Sequence, residues 1–192
     1  KVRDNYHMIA IAKNWDGVKE INRMVTISNN RKDGHFYYSP RITLDEMESL
    51  SENIILTSAC LGGPLNDGTD EVKQRVIEYF TKHRDRCFFE IQHHCVDEQC
   101  RYNLYLQDLS HKTGVRLIAG TDTHSLNEKL AKARVILQKS KKVYFEGEDG
   151  WDLTFKTYDE LLEAYRKQGV LDEEVVKEAI ANTCVVRDSV EE

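Results

Sequence analysis

The chain has 192 residues, 40% of them hydrophobic and 31% charged, with a formal net charge of −6. Those values describe one globular domain with room for a core and exclude a disordered chain. They also exclude a domain that grips DNA through a broad basic face, while leaving room for a pocket that takes one phosphate or a strand end, because a metal ion inverts the local field.

No apolar run approaches the roughly 18–20 residues of a membrane span, so no membrane partner is expected. Lys1-Val-Arg-Asp-Asn-Tyr6 does not read as a signal peptide. The cysteines are Cys60, Cys87, Cys95, Cys100 and Cys184, an odd number with no Cys-x-x-Cys pair. They suggest neither a disulfide framework nor a zinc ribbon, and point to reduced thiols in the cytoplasm.

In chain order, Tyr6 to Ala12 is a short apolar run that reads as a buried strand. Trp15 to about Asn30 places Val18, Ile21 and Val25 near helical spacing. Gly34 to Ile42 is an aromatic loop, and Thr43 with Glu46 three residues on forms a capping box for a short helix through Leu50. Asn53 to Ser58 is the next strand, turned outward by Cys60-Leu-Gly-Gly-Pro64. Asp70 to about Arg84 is a helix with Val72, Val76, Tyr79 and Phe80 on one face. Cys87 to Gln92 is a strand in which Phe88, Glu90 and Gln92 share a side. Asp97 to Lys112 is a helix closed by Gly114, and Val115 to Gly120 is a further strand. Helices follow from Asn127 to about Lys139, from Thr157 (again with a Glu three residues on) through Gln168, and from Asp172 to about Arg187. Between the first two of these, Val143 to Lys156 reads as an extended loop or a hairpin.

Strands alternating with helices predict an α/β fold with a parallel sheet and right-handed crossovers. Four strands are too few to close a barrel and fit part of one, or an open sheet. Parallel strands gather their C-terminal ends, where such folds keep their chemistry. The most informative segment there is Arg116-Leu-Ile-Ala-Gly-Thr-Asp122-Thr-His124. Residues two apart on a strand face one side, so a carboxylate and an imidazole would reach one ion together; the alternative is an Asx-turn leading to a helix cap. Cys60 is a ligand candidate or a small buried apolar residue. His93 and His94 are adjacent, so their side chains diverge and at least one is expected at the surface. Glu90 is either paired with a cation inside a strand face or catalytic. His7 begins its strand, which puts it at the opposite end of the sheet unless that strand runs antiparallel. His35, His83 and His111 read as surface residues. Asp, His and Cys suit zinc, and carboxylate with imidazole also suits manganese. No P-loop, dinucleotide glycine motif or Gly-x-Ser-x-Gly elbow is present.

Several segments converge on one family. They are His7-Met-Ile-Ala-Ile-Ala-Lys-Asn14, Phe36-Tyr-Tyr-Ser-Pro-Arg-Ile42, Leu56-Thr-Ser-Ala-Cys-Leu-Gly-Gly63, Phe89-Glu-Ile-Gln92 and Thr121-Asp-Thr-His124. In order and spacing they resemble the polymerase-and-histidinol-phosphatase (PHP) domain of bacterial DNA polymerase III alpha subunits. The resemblance implies a partial, distorted (βα)7 PHP-type barrel over residues 1–145, mainly parallel, followed by a helical extension over 146–192. It implies that His7, Cys60, Asp122 and His124 ligate a divalent metal (zinc, manganese or magnesium), overruling the topological objection to His7. No catalytic residue is assigned. The family's N-terminal His-x-His, Thr-Asp-His and Gly-x-Glu motifs are absent, so the expectation is a truncated copy whose full metal cluster cannot form within this chain alone. The parent would be a DNA-directed DNA polymerase, a nucleotidyltransferase of DNA replication. Metal-dependent 3′–5′ exonuclease or phosphoesterase chemistry would be its further activity. The implied partners are the rest of the alpha subunit, a proofreading exonuclease subunit and a DNA 3′ end. Two alternatives stand beside this reading: a catalytically degenerate platform for that exonuclease subunit, and a free-standing metal-dependent phosphatase.

Overall fold

The computed structural model describes residues 5–142 and 151–191. Its centre is a four-stranded sheet in the order β1 (Ile9–Ala12), β4 (Ile54–Thr57), β5 (Cys87–Gln92) and β6 (Arg116–Gly120). The two pairings β4–β5 and β5–β6 are parallel, as alternation with helices requires. The pairing β1–β4 is antiparallel, with Ile9 opposite Thr57 and Ala12 opposite Ile54. This corrects the expectation of a parallel sheet at β1 and leaves the sheet mainly parallel. The cause lies between these strands, where no single crossover helix carries the chain back. Instead α1 (Trp15–Ser28), the tiny ribbon β2–β3 (Phe36–Tyr37 with Ser39–Pro40) and α2 (Leu44–Glu48) fill the connection. The ribbon lies within the segment expected to be a loop.

The local signals explain most element ends. Asn14 caps α1 by accepting from the Gly17 amide at 3.0 Å. Gly17 is required here, because a Cβ would stand 2.6 Å from the Asn53 carbonyl. Both capping boxes form, Thr43 with Glu46 on α2 and Thr157 with Glu160 on α7 (Tyr158–Gln168). Helix α5 (Asp97–Thr113) ends on left-handed Gly114. The outward turn after β4 contains one more short helix, α3 (Pro64–Asp67), ahead of α4 (Asp70–Lys82).

One sheet face carries Ile54, Leu56, Phe89, Ile91, Leu117 and Ala119 into the main core, where they meet Val76 and Phe80 of α4, Leu106 of α5 and Leu161 of α7. The other carries a smaller apolar group, Ile55, Phe88 and Ile118, against Ile11, Val185 and Val186. The last helix, α8 (Glu173–Asp188), lies along the β6 edge, where Asn182 donates to the Leu117 carbonyl at 2.9 Å. By contrast α6 (Glu128–Ser140) has no buried residue, and Leu130, Ile136 and Leu137 are exposed on it. Of the segment expected to be a loop or hairpin, 143–150 lies outside the described residues. Its remainder runs extended beside the end of β6, bridging Ser125 to Thr154. Among the described residues no helix is long and apolar enough to cross a membrane.

Candidate metal centre

The antiparallel course of β1 decides where His7 lies. It precedes β1 by one residue beyond Met8 and therefore stands at the same end of the sheet as the residues that follow β4. The His7 amide donates to the Gly62 carbonyl at 2.9 Å. Its ring Nδ1 is 3.7 Å from the Cys60 sulfur. A sulfur and an imidazole nitrogen bound tetrahedrally to one zinc ion would stand about 3.6 Å apart. The donor pair therefore has the right chemistry and separation for a shared ion.

Cys60 leaves β4 through a strained corner. Ala59 has φ +56°, a conformation uncommon outside glycine. Gly63 lets the turn close, because a Cβ there would sit 2.3 Å from the Ser58 carbonyl. Cys60 is half-buried. Burial pushes its thiol above the ordinary value, and the carboxylates of Asp122 and Glu90 push it the same way.

The second pair follows β6, but strand alternation does not bring it together. The strand ends at Gly120, and Asp122 adopts φ +48°. That turn folds His124 back, so its Nδ1 lies 2.8 Å from the Asp122 carbonyl and 3.8 Å from the Asp122 carboxylate. A carbonyl only accepts, so Nδ1 carries the proton and Nε2 keeps its lone pair for a ligand. Metal-binding histidines are commonly oriented in this way. The His124 and Ser125 amides both donate to Leu153, at 2.8 and 3.1 Å, which ties the loop to the extended segment.

Behind both pairs lies the end of β5. Glu90 is buried, and its carboxylate accepts from the Thr57 hydroxyl at 2.7 Å and from the Gln92 amide at 2.9 Å. Burial raises its pKa, its two hydrogen bonds oppose that, and Asp122 adds to the rise. Gly120 makes room for it, since a Cβ at that position would fall 2.1 Å from Glu90 Oε1. His93 and His94 are both buried, which corrects the expectation that one lies at the surface. Adjacent residues diverge along a strand, but these two lie past its end, where α7 and the extended segment cover both. His94 stacks on Trp151 with ring centroids 4.7 Å apart, and His93 meets Tyr165 edge-on at 6.1 Å. Among the described residues none of their four ring nitrogens has a hydrogen-bond partner. Burial lowers both pKa values, that of His94 to about 4.

The four residues singled out by sequence thus fall into two pairs at one end of the sheet. Among the described residues, no group of three or more His, Cys, Asp or Glu side chains is already closed around a metal position. Sequence reasoning left Glu90 undecided and missed its link to Thr57. The signal available was Glu90 standing on the same strand side as Gln92, with glycine on the next strand.

The PHP domain family model matches residues 1–94. This chain carries a PHP domain. His7, Cys60 and Glu90 lie inside the matched span, and Asp122 and His124 lie beyond it. The chain is 34% identical over 138 residues to the DNA polymerase III subunit alpha of Borreliella burgdorferi, covering 69% of this chain and 12% of that protein. It is 32% identical over 153 residues to that of Aquifex aeolicus, covering 76% and 13%. With that of Thermus aquaticus it shares 29% over 152 residues, covering 76% and 12%. The chain therefore spans about an eighth of the length of these curated relatives. Its homologues are DNA polymerase III alpha subunits, and the PHP match together with the mixed α/β sheet gives the fold class. Among the described residues the sheet is four-stranded and open.

Proposed function

We propose that the chain is part of the PHP domain of a bacterial DNA polymerase III alpha subunit acting in cytoplasmic DNA replication, and that His7, Cys60, Asp122 and His124 bind a divalent metal ion there. The observation that carries this reading is the 3.7 Å approach of His7 Nδ1 to Cys60 Sγ across an antiparallel pair. Two residues 53 positions apart meet at a ligand spacing beside a second Asp–His pair. Thiolate with imidazole favours zinc, and carboxylate with imidazole favours manganese over magnesium. When bound, such an ion polarises a phosphoryl oxygen and acidifies water, the chemistry of 3′–5′ exonuclease or phosphoesterase action on a DNA 3′ end. The chain's own part is to orient the donors: the Asp122 carbonyl fixes the His124 tautomer, and the Gly62 carbonyl fixes the backbone of His7.

The test is elemental analysis of the purified chain after zinc or manganese loading and desalting, with release of nucleotides from a 3′ end assayed in parallel. Stoichiometric metal that falls at least tenfold in Asp122→Ala is the expected result. Metal retention in Asp122→Ala and Cys60→Ser equal to that of the unmodified chain overturns the assignment of ligands.

The exposed helix α6 favours a second reading, a structural platform that docks a proofreading exonuclease subunit inside the polymerase. Its solvent-facing Leu130, Ile136 and Leu137 are an unusual load for a helix that buries none of its residues. Metal-free chain that captures purified exonuclease subunit, and loses it on Leu137→Asp, would favour this reading over the catalytic one.

A further inference from the structure

We infer that Glu90 is a positioning residue for the Cys60–His7 pair, acting through Thr57 and the backbone of Ala59, and that its buried carboxylate prepares this end of the sheet for a cation. The inference rests on the metal-binding reading above and goes beyond its four ligands.

The geometry is a relay. A hydroxyl has one proton to give and lone pairs to receive with. Thr57 gives its proton to Glu90 Oε2 at 2.7 Å and accepts from the Ala59 amide at 3.2 Å. Ala59 is the left-handed residue that aims the chain from β4 into Cys60. Glu90 thus fixes which way the Thr57 hydroxyl points, and the hydroxyl holds the corner that presents the sulfur. A second link runs the other way, with the Glu90 amide donating to the Ser58 hydroxyl at 2.9 Å. The carboxylate touches the Asp122 side of the site as well, because it fills the space that Gly120 leaves open two residues before Asp122.

Charge makes the same point independently. Glu90 is 5% exposed and meets only neutral partners, a hydroxyl and an amide. Among the described residues no lysine or arginine pairs with it, while Asp122 adds charge of the same sign nearby. A buried carboxylate without a cation is a costly choice for stability alone. Next to it, the Oε1 of Gln92 is buried and, among the described residues, accepts no hydrogen bond. Glutamine at position 90 would keep the shape and remove the charge. Stability without metal therefore favours glutamine at this position, and cation binding favours glutamate.

Cobalt(II) titration of the full 192-residue chain separates the two roles. A thiolate bound to cobalt gives a near-ultraviolet charge-transfer band, so the spectrum reports whether Cys60 is a ligand. The unmodified chain should show the band and Cys60→Ser should lose it. Glu90→Gln should melt at the same temperature or higher without metal, yet bind cobalt at least tenfold more weakly with a diminished band. Thr57→Val should weaken cobalt binding similarly while leaving Glu90 in place, and Thr57→Ser, which keeps the hydroxyl, should restore it. Absence of a Cys60-dependent band in the unmodified chain overturns the metal reading and this inference with it. A band of normal strength and affinity in both Glu90→Gln and Thr57→Val overturns the role of Glu90 alone.

Discussion

At one end of the sheet the molecule holds two sets of polar residues that differ in everything but their location. The floor, formed by Glu90, Gln92, His93 and His94 at the end of β5, is buried and carries unpartnered polar atoms. The rim, formed by His7, Cys60, Asp122 and His124, is half-buried to exposed, and its His124 ring is oriented by a backbone carbonyl. The floor bears the energetic cost of desolvation and gives the site rigidity. The rim stays accessible and keeps lone pairs free. Potential ligands need not be the residues on which stability depends, and substitutions on each side, together with acid, separate the two roles.

The largest effect should come from Gly120→Ala. Its Cβ would overlap the Glu90 carboxylate in a packed strand pair, so we expect a loss of about 3 kcal/mol in urea unfolding. A loss near zero would mean that the floor yields, and would break the comparison. Acid should come next. The His94 pKa is lowered from 6.5 to about 4 in the fold, so the unfolded chain binds the extra proton first. Stability is complete above pH 6.5 and falls as pH drops towards 4. Burial of His94 alone predicts a loss of roughly 2 kcal/mol between pH 7 and pH 5. His94→Phe keeps a ring against Trp151 and should flatten that part of the pH dependence. If it leaves the acid slope unchanged, another group is responsible. The smallest effect belongs to the rim: His7→Ala and His124→Ala should each cost less than about 0.5 kcal/mol without metal, because neither side chain is part of the core. A cost above 2 kcal/mol for either would place it with the floor.

Much of the fold was legible because its signals are local. Capping residues at Asn14, Thr43, Thr69, Asn127 and Thr157 start helices where their side chains accept from the first turn, and Gly114 and Gly169 stop them. Strand direction is not local. The antiparallel β1 depends on how 41 residues between Ala12 and Ile54 fold back, which no window of periodicity reports. The order of elements puts His7 at the opposite end of the sheet unless its strand runs antiparallel, and the pairing of β1 with β4 meets that condition. The Asp122–His124 pair was legible as a pair, but the mechanism that joins them is a left-handed turn and a carbonyl acceptor, not strand alternation. The burial of both His93 and His94 escaped because it comes from Trp151 and Tyr165, more than fifty residues later in the chain. Glu90 was ambiguous from sequence because its meaning depends on three neighbours on other parts of the sheet.

The clamp of Asn182 on the Leu117 carbonyl has a consequence for association. A sheet with two free edges can be extended from either side. Here α8 occupies the β6 edge and takes one of its acceptors, while β1, at the other edge, leaves Ile9 and Ala10 exposed. Among the described residues the two edges therefore differ: α8 covers β6, whereas β1, two residues from His7, faces outward.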